Sequence, residues 1–137
     1  MGGRDVMRRR GGEEGSSAVE LVLLAPLLMF VVFLVVQAAL YMHARHVVLA
    51  AAQQGARLAR AAAPTDQAAV TSARAGTLSY LHQLGSDVVT DPTVDISRAN
   101  GQATVRVSAH AVSILAGLVT LRVVETSSGP VERFRAP

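Results

Sequence analysis

Hydrophobic positions fall into three patterns along the chain. From Leu21 to Met42 about twenty-two residues run apolar, interrupted only by Gln37, which is long enough to cross a bilayer as helix. Past Met42 the apolar positions narrow to a stripe. At about 100° per residue, Val47, Val48, Ala51, Ala52, Gly55, Leu58, Ala59 and Ala62 share one side, and His46, Gln53, Arg57 and Arg60 share the other. Beyond Asp91 the period drops to two: Val94 and Ile96 alternate with Asp95 and Ser97, and Val105, Val107 and Ala109 alternate with Thr104, Arg106, Ser108 and His110.

These patterns predict a single helix from Ser17 to Ala63, about 70 Å long and roughly half in lipid. Pro26 stands inside it and removes one backbone hydrogen bond, which predicts a kink. Pro64 ends it, because a residue before proline is driven out of helical geometry. Ala51, Gly55 and Ala59 repeat small residues every four positions, a spacing that admits another helix or a sheet. Thr65 or Asp66 caps a second helix, with Val70, Ala73, Thr77, Leu81 and Leu84 at helical spacing and Gly85 as its stop. After a polar link through Asp91-Pro92, Asn100-Gly101 marks a tight β-hairpin turn. Ala111 to Leu118 is apolar without a period and reads as a loop or short helix near the membrane or a partner. A third strand is expected from Val119 to Thr126, broken by Ser127-Ser128-Gly129-Pro130, with Val131 to Phe134 as a short edge strand.

The resulting fold class is α+β: a long amino-terminal transmembrane and amphipathic helix, one short helix, then a small three- to four-stranded antiparallel sheet. Residues 1–15 form a disordered basic leader, 16–42 the membrane span, 43–63 its amphipathic continuation, and 64–137 a small extracytoplasmic domain. With 137 residues the chain has room for one modest domain beside a span. Tyr80 and Phe134 are the aromatics past the amphipathic helix, so the domain's core is expected to be small.

Charge and chemistry narrow the function classes. The net charge is +3, but the arginines past the span are interleaved with Asp66, Asp87, Asp91, Asp95 and Glu125, so no basic face for nucleic acid emerges. Cysteine is absent, which removes disulfides, thiolate metal sites and a cysteine nucleophile. His43 and His46 are three apart on the helix and could share a metal, yet no third ligand lies near them in sequence; solvated interfacial histidines are the simpler reading. Tyr41 fits an aromatic anchor at the membrane interface. No hydrolase elbow, zinc-protease motif, Walker loop or dinucleotide fingerprint is present. No cofactor, small-molecule substrate or catalytic set is expected. The apolar run exceeds the 7 to 15 residues of a secretory signal's core, so a retained anchor is expected. Arg4, Arg8, Arg9 and Arg10 before it place the amino terminus in the cytoplasm.

Glu20 needs a reason, because a carboxylate carried to the bilayer centre costs roughly 2.5 to 3.5 kcal/mol, and less near an interface. One reason is a capping box, with Ser17 accepting from the Glu20 backbone and the Glu20 side chain reaching back. The other starts from Gly15, five positions earlier, at the junction between a basic leader and an apolar helix. That arrangement resembles a type IV prepilin processing site, where a membrane peptidase cuts after the glycine and the glutamate meets a neighbour's amino terminus. The two readings do not exclude each other.

With Ser17-Ala-Val-Glu20, Leu24-Ala-Pro26-Leu-Leu28, Tyr41, Arg45 and Gln54-Gly-Ala-Arg57 in view, the chain resembles the TadE/TadG-like pseudopilins of the Tad, or Flp, branch of type IVb pili. The Pro130-Val-Glu-Arg-Phe134 ending also looks like that family. The resemblance implies a minor pseudopilin in the cytoplasmic membrane that supports pilus assembly. Gly15 and Ser16 would flank the cleaved bond and Glu20 would be the assembly contact. Its partners would be the lipid bilayer, the prepilin peptidase, and other pilin-like subunits with their assembly machinery. Two further readings remain: an unprocessed single-span protein whose outer domain binds another envelope partner, and an enzyme or transport accessory whose site forms only in a complex.

Overall fold

The computed structural model describes residues 14–61, 63, 65–114 and 120–132, with side chains from Val19 onward. Five elements follow one another: α1 (Glu14–Arg60), α2 (Asp66–Leu84), β1 (Val89–Ala99), β2 (Gln102–Ala111) and β3 (Leu121–Pro130). The strands form one antiparallel sheet in the order β1-β2-β3. The chain is therefore α+β, a long apolar-led helix and a short helix followed by a three-stranded sheet. It divides into two compact units, Met1–Val36 and Gln37–Pro137, and α1 runs through the division.

In the first unit α1 is described from Glu14 onward, so Ser17 lies inside the helix and is not the N-cap of a capping box. The helix then continues through Pro26.

In the second unit the later half of α1 supplies one wall of the core. Ala44, Val48, Ala51, Ala52, Ala56 and Ala59 are buried, as is Gly55, whereas His46, Gln53 and Arg57 are exposed. That is the face read from the stripe, with Arg60 as the exception. Arg60 is half-buried, its Nε donates to the Ala56 carbonyl at 3.2 Å, and its side chain lies over Gly129 of β3. Tyr41, half-buried, packs against this core. The α1 carbonyl of Arg60 accepts from the Glu132 N–H at 3.0 Å, and Pro64, the expected stop, lies outside the described residues.

Helix α2 is capped as its sequence predicts: the Thr65 side chain accepts from the Ala68 N–H at 3.1 Å, worth about 1 kcal/mol. It buries Ala69, Ala73, Thr77 and Leu81, while Leu84 is exposed. Gly85 closes it by donating to the Leu81 carbonyl at 2.7 Å.

The sheet's inner face carries Val94 from β1, Ala103, Val105, Val107, Ala109 and Ala111 from β2, and Val123 from β3, all buried. The hairpin turns at Asn100 and Gly101, with φ of 53° and 76°, the left-handed pair that a two-residue type I′ turn requires. Two boundaries differ from the sequence reading. Strand β1 starts at Val89 and passes through Asp91-Pro92, with a bulge between Thr90 and Thr93 and Asp91 at φ 50°. An edge strand tolerates proline at such a bulge, since no ladder bond is needed there. Strand β3 starts at Leu121 and is not broken by Ser127 to Pro130; it stays in register with β2 to the pair Gln102↔Pro130. Val131 and Glu132 lie beyond β3 and outside any strand, and Phe134 is outside the described residues, as are residues 115–119 of the apolar connection.

Candidate functional site

The bond between Gly15 and Ser16 lies within α1, and Glu20 is exposed just over one turn on. From Val19 to Val36 every residue is exposed, including Leu21 to Leu24, Leu27 to Phe30 and Val31 to Val36. At 1.5 Å per residue this bare apolar helix is about 27 Å long, close to the hydrocarbon thickness of a bilayer. Among the described residues it belongs to the one helix long and apolar enough to cross a membrane. An apolar surface of that extent is unstable in water, and lipid or another apolar helix is what it requires.

The folded unit opens at Gln37. Gln37 makes tertiary contacts that the reading of the apolar run passes over. It is 8% exposed, and its Oε1 accepts from Ser113 Oγ and from the Ile114 N–H, both at 3.1 Å. A backbone N–H can only donate, so the Ile114 contact fixes which end of the amide faces the turn. The Gln37 Nε2 is buried without a hydrogen-bond partner among the described residues. Its signal in the sequence is that it is the lone amide in an apolar run.

The polar residues singled out in the sequence disperse. His43 and His46 are exposed on α1, His82 is exposed on α2, and His110 lies on β2. Among the described residues no group of three or more metal-ligating side chains comes together. Arg45 instead donates from Nε to Glu125 Oε1 at 2.7 Å, tying α1 to the inner side of β3. The pair is partly exposed, which limits its stabilising effect. Arg98 has its side chain 7% exposed and its Nε 3.4 Å from Asp66, an ion pair without a hydrogen bond, so its Nε and Nη1 stay unsatisfied among the described residues. On the outer sheet face Thr93 and Ser108 share a 2.6 Å hydroxyl bond, and Arg122 donates to Ser108 at 3.3 Å. An open cleft is lined by Arg74 of α2 and by Asp95, Ile96, Ser97, Thr104 and Arg106 of the sheet.

Comparison with known proteins points back to α1. No curated protein and no solved structure matches the chain. A family model described as TadE-like protein does match, over residues 15–57, starting at Gly15 and ending in the folded unit's helical wall. Residues 15–57 of α1 are thus similar to TadE-like proteins.

Proposed function

We propose that the chain is a TadE-like minor pseudopilin, a membrane-anchored structural component of a Tad-type IVb pilus that is cut by a prepilin peptidase between Gly15 and Ser16. The observation that carries this reading is the coincidence of the family match, which starts at Gly15, with the exposed apolar helix that follows Glu20. Residues Val19 to Val36 are the part of the span that lipid surrounds. The leader stays in the cytoplasm with Arg8, Arg9 and Arg10, and the unit from Gln37 onward lies outside the cytoplasm. Other pilin-like subunits are its partners, and its role is structural.

Cutting requires access to the Gly15–Ser16 bond. Proteolysis needs a locally unwound backbone, and a glycine within a helix weakens it by about 1 kcal/mol relative to alanine. Removal of the leader also makes Ser16 a new positive terminus, the charge that a neighbouring subunit's Glu20 carboxylate would meet. Pro26 lies too far along α1 to serve the cut. Its missing N–H leaves the Val22 carbonyl without its usual partner and gives the span a point of flexure.

Gly15→Leu tests the cleavage site. Co-expressed with its host's prepilin peptidase, the variant is expected to stay at precursor mass in the membrane while the unsubstituted chain is shortened. Equal shortening of both would place the cut elsewhere.

A further inference from the structure

We infer that the open edge of β3 accepts an extended strand of another pilin-like subunit as a fourth strand of the sheet, which rests on the reading of such subunits as this chain's partners. The order β1-β2-β3 leaves the sheet two edges, and they differ. The β1 edge carries Pro92, Asp91 at φ 50° and a bulge between Thr90 and Thr93, devices that keep a foreign strand from pairing. Strand β3 stays in register with β2 from Leu121 to Pro130 without a bulge, and its proline stands at the very end. A regular edge of that kind is a template for another strand.

The turn at Asn100 and Gly101 fixes which backbone groups of β3 face outward. In a two-residue hairpin the flanking pair, here Ala99 and Gln102, exchange hydrogen bonds, so even-numbered residues of β2 turn their N–H and C=O toward β1 and odd-numbered ones toward β3. The Val131 N–H, which donates to the Gly101 carbonyl at 2.8 Å, follows the same alternation. Through the pairs Val105↔Ser127, Val107↔Glu125 and Ala109↔Val123, the odd-numbered residues of β3 bond to β2. The N–H and C=O groups of Arg122, Val124, Thr126 and Ser128 therefore point away from the sheet. Among the described residues no strand pairs with them, and Arg122, Thr126 and Ser128 are exposed.

Charge sets the chemistry of the incoming strand. Glu125 is already bonded to Arg45, whereas Arg122 has no ion pair among the described residues and gives one hydrogen bond to the neutral Ser108 hydroxyl. The strand that fits carries a carboxylate opposite Arg122 and β-branched or hydroxyl side chains opposite Val124, Thr126 and Ser128. An antiparallel second copy offers the same four residues in return, none of them acidic, so it supplies no carboxylate. A strand of a different subunit is the occupant that satisfies both the edge and its charge.

Amide hydrogen exchange tests the docking, read residue by residue on the full chain in detergent, alone and in complex with the pilin-like subunit that co-isolates with it from host membranes. In the chain alone the Val124 and Thr126 amides are expected to exchange freely while those of Val123, Glu125 and Ser127 are protected. In the complex, exchange at Val124 and Thr126 is expected to slow by about a hundredfold. Thr126→Pro removes an outward N–H and no bond to β2, and is expected to lose most of the recovered partner; Thr126→Ala keeps the N–H and is expected to recover it in full. Should Thr126→Pro fail to fold, exchange in the unsubstituted complex decides. Free exchange of both amides within a complex that does form would overturn the strand docking and leave the partnership standing, whereas finding no co-isolating subunit removes both. Protection of the two amides in the chain alone would overturn the inference too: protection that fades on dilution means a second copy on the edge, and protection that does not means the chain covers its own edge.

Discussion

Gly55→Leu is expected to unfold the unit from Gln37 onward while leaving the apolar helix inserted. Gly55 is buried on α1, and a Cβ there would run into Thr77 Oγ1 of α2 and come within 3.0 Å of Val105 Cγ1 of β2. Neither neighbour can yield. Thr77 is fully buried with its hydroxyl donating to the Ala73 carbonyl at 2.7 Å, and Val105 is fully buried in the sheet's inner face. Overpacking a well-filled core costs about 1 to 3 kcal/mol, and leucine adds more carbon than most such changes. The surrounding core is built of alanine and valine, with Leu81 the largest fully buried side chain, so no long side chain can rearrange to make room. A loss of about 3 kcal/mol is a large fraction of an ordinary domain's stability. The helical circular dichroism of α1 in detergent is a poor reporter, because the span stays helical. The near-ultraviolet signal of tyrosine serves better: the chain has no tryptophan, and its two tyrosines, Tyr41 and Tyr80, both pack against the core. Its urea midpoint should fall sharply for Gly55→Leu and stay in place for Ala75→Leu on the exposed side of α2. An unchanged midpoint for Gly55→Leu would contradict the packing described for α1.

Glu20→Ala is expected to abolish co-isolation of the chain with pilin-like subunits without preventing insertion or leader removal. Glu20 is exposed on α1 and directly precedes the bare apolar stretch. Because Ser17 lies within α1 and is not its N-cap, the glutamate is not held in a capping box with it, which removes the local reason for a carboxylate at this position. Insertion should improve slightly, since the substitution removes the cost of a charge near hydrocarbon. Assembly should fail, since a neighbour's ammonium group loses its partner in a medium of low dielectric. Glu20→Gln, which keeps a hydrogen-bond acceptor but no charge, should recover little of the co-isolation. Co-isolation at the level of the unsubstituted chain would remove Glu20 from the assembly contact.

Much of the fold was legible wherever a local rule and the tertiary structure agreed. The stripe from Val47 to Ala59 identified the buried face of α1, Thr65 marked the cap of α2, and Asn100-Gly101 set the hairpin register that carries Val105 and Val107 inward. The small-residue spacing of Ala51, Gly55 and Ala59 serves close approach inside the folded unit, to α2 and β2. What escaped the sequence depended on neighbours distant in the chain. Asp91-Pro92 looks like a break until β2 is seen to hold β1 on both sides of a bulge. Ser127 to Pro130 looks like a turn, yet the pairing with β2 continues and Gly129 makes room for Arg60. Gln37 reads as a blemish in a hydrophobic run because its partners, Ser113 and Ile114, lie more than seventy residues away. Helix periodicity carries no information about such bonds.

The amino-terminal residue of the membrane-bound protein tests the account most directly. Intact mass and terminal sequencing are compared for the full chain expressed with and without its host's prepilin peptidase. The account predicts a start at Ser16 that depends on the peptidase and a start at Met1 without it. A start at Met1 in both cases would contradict processing and leave a single-span protein with its leader attached.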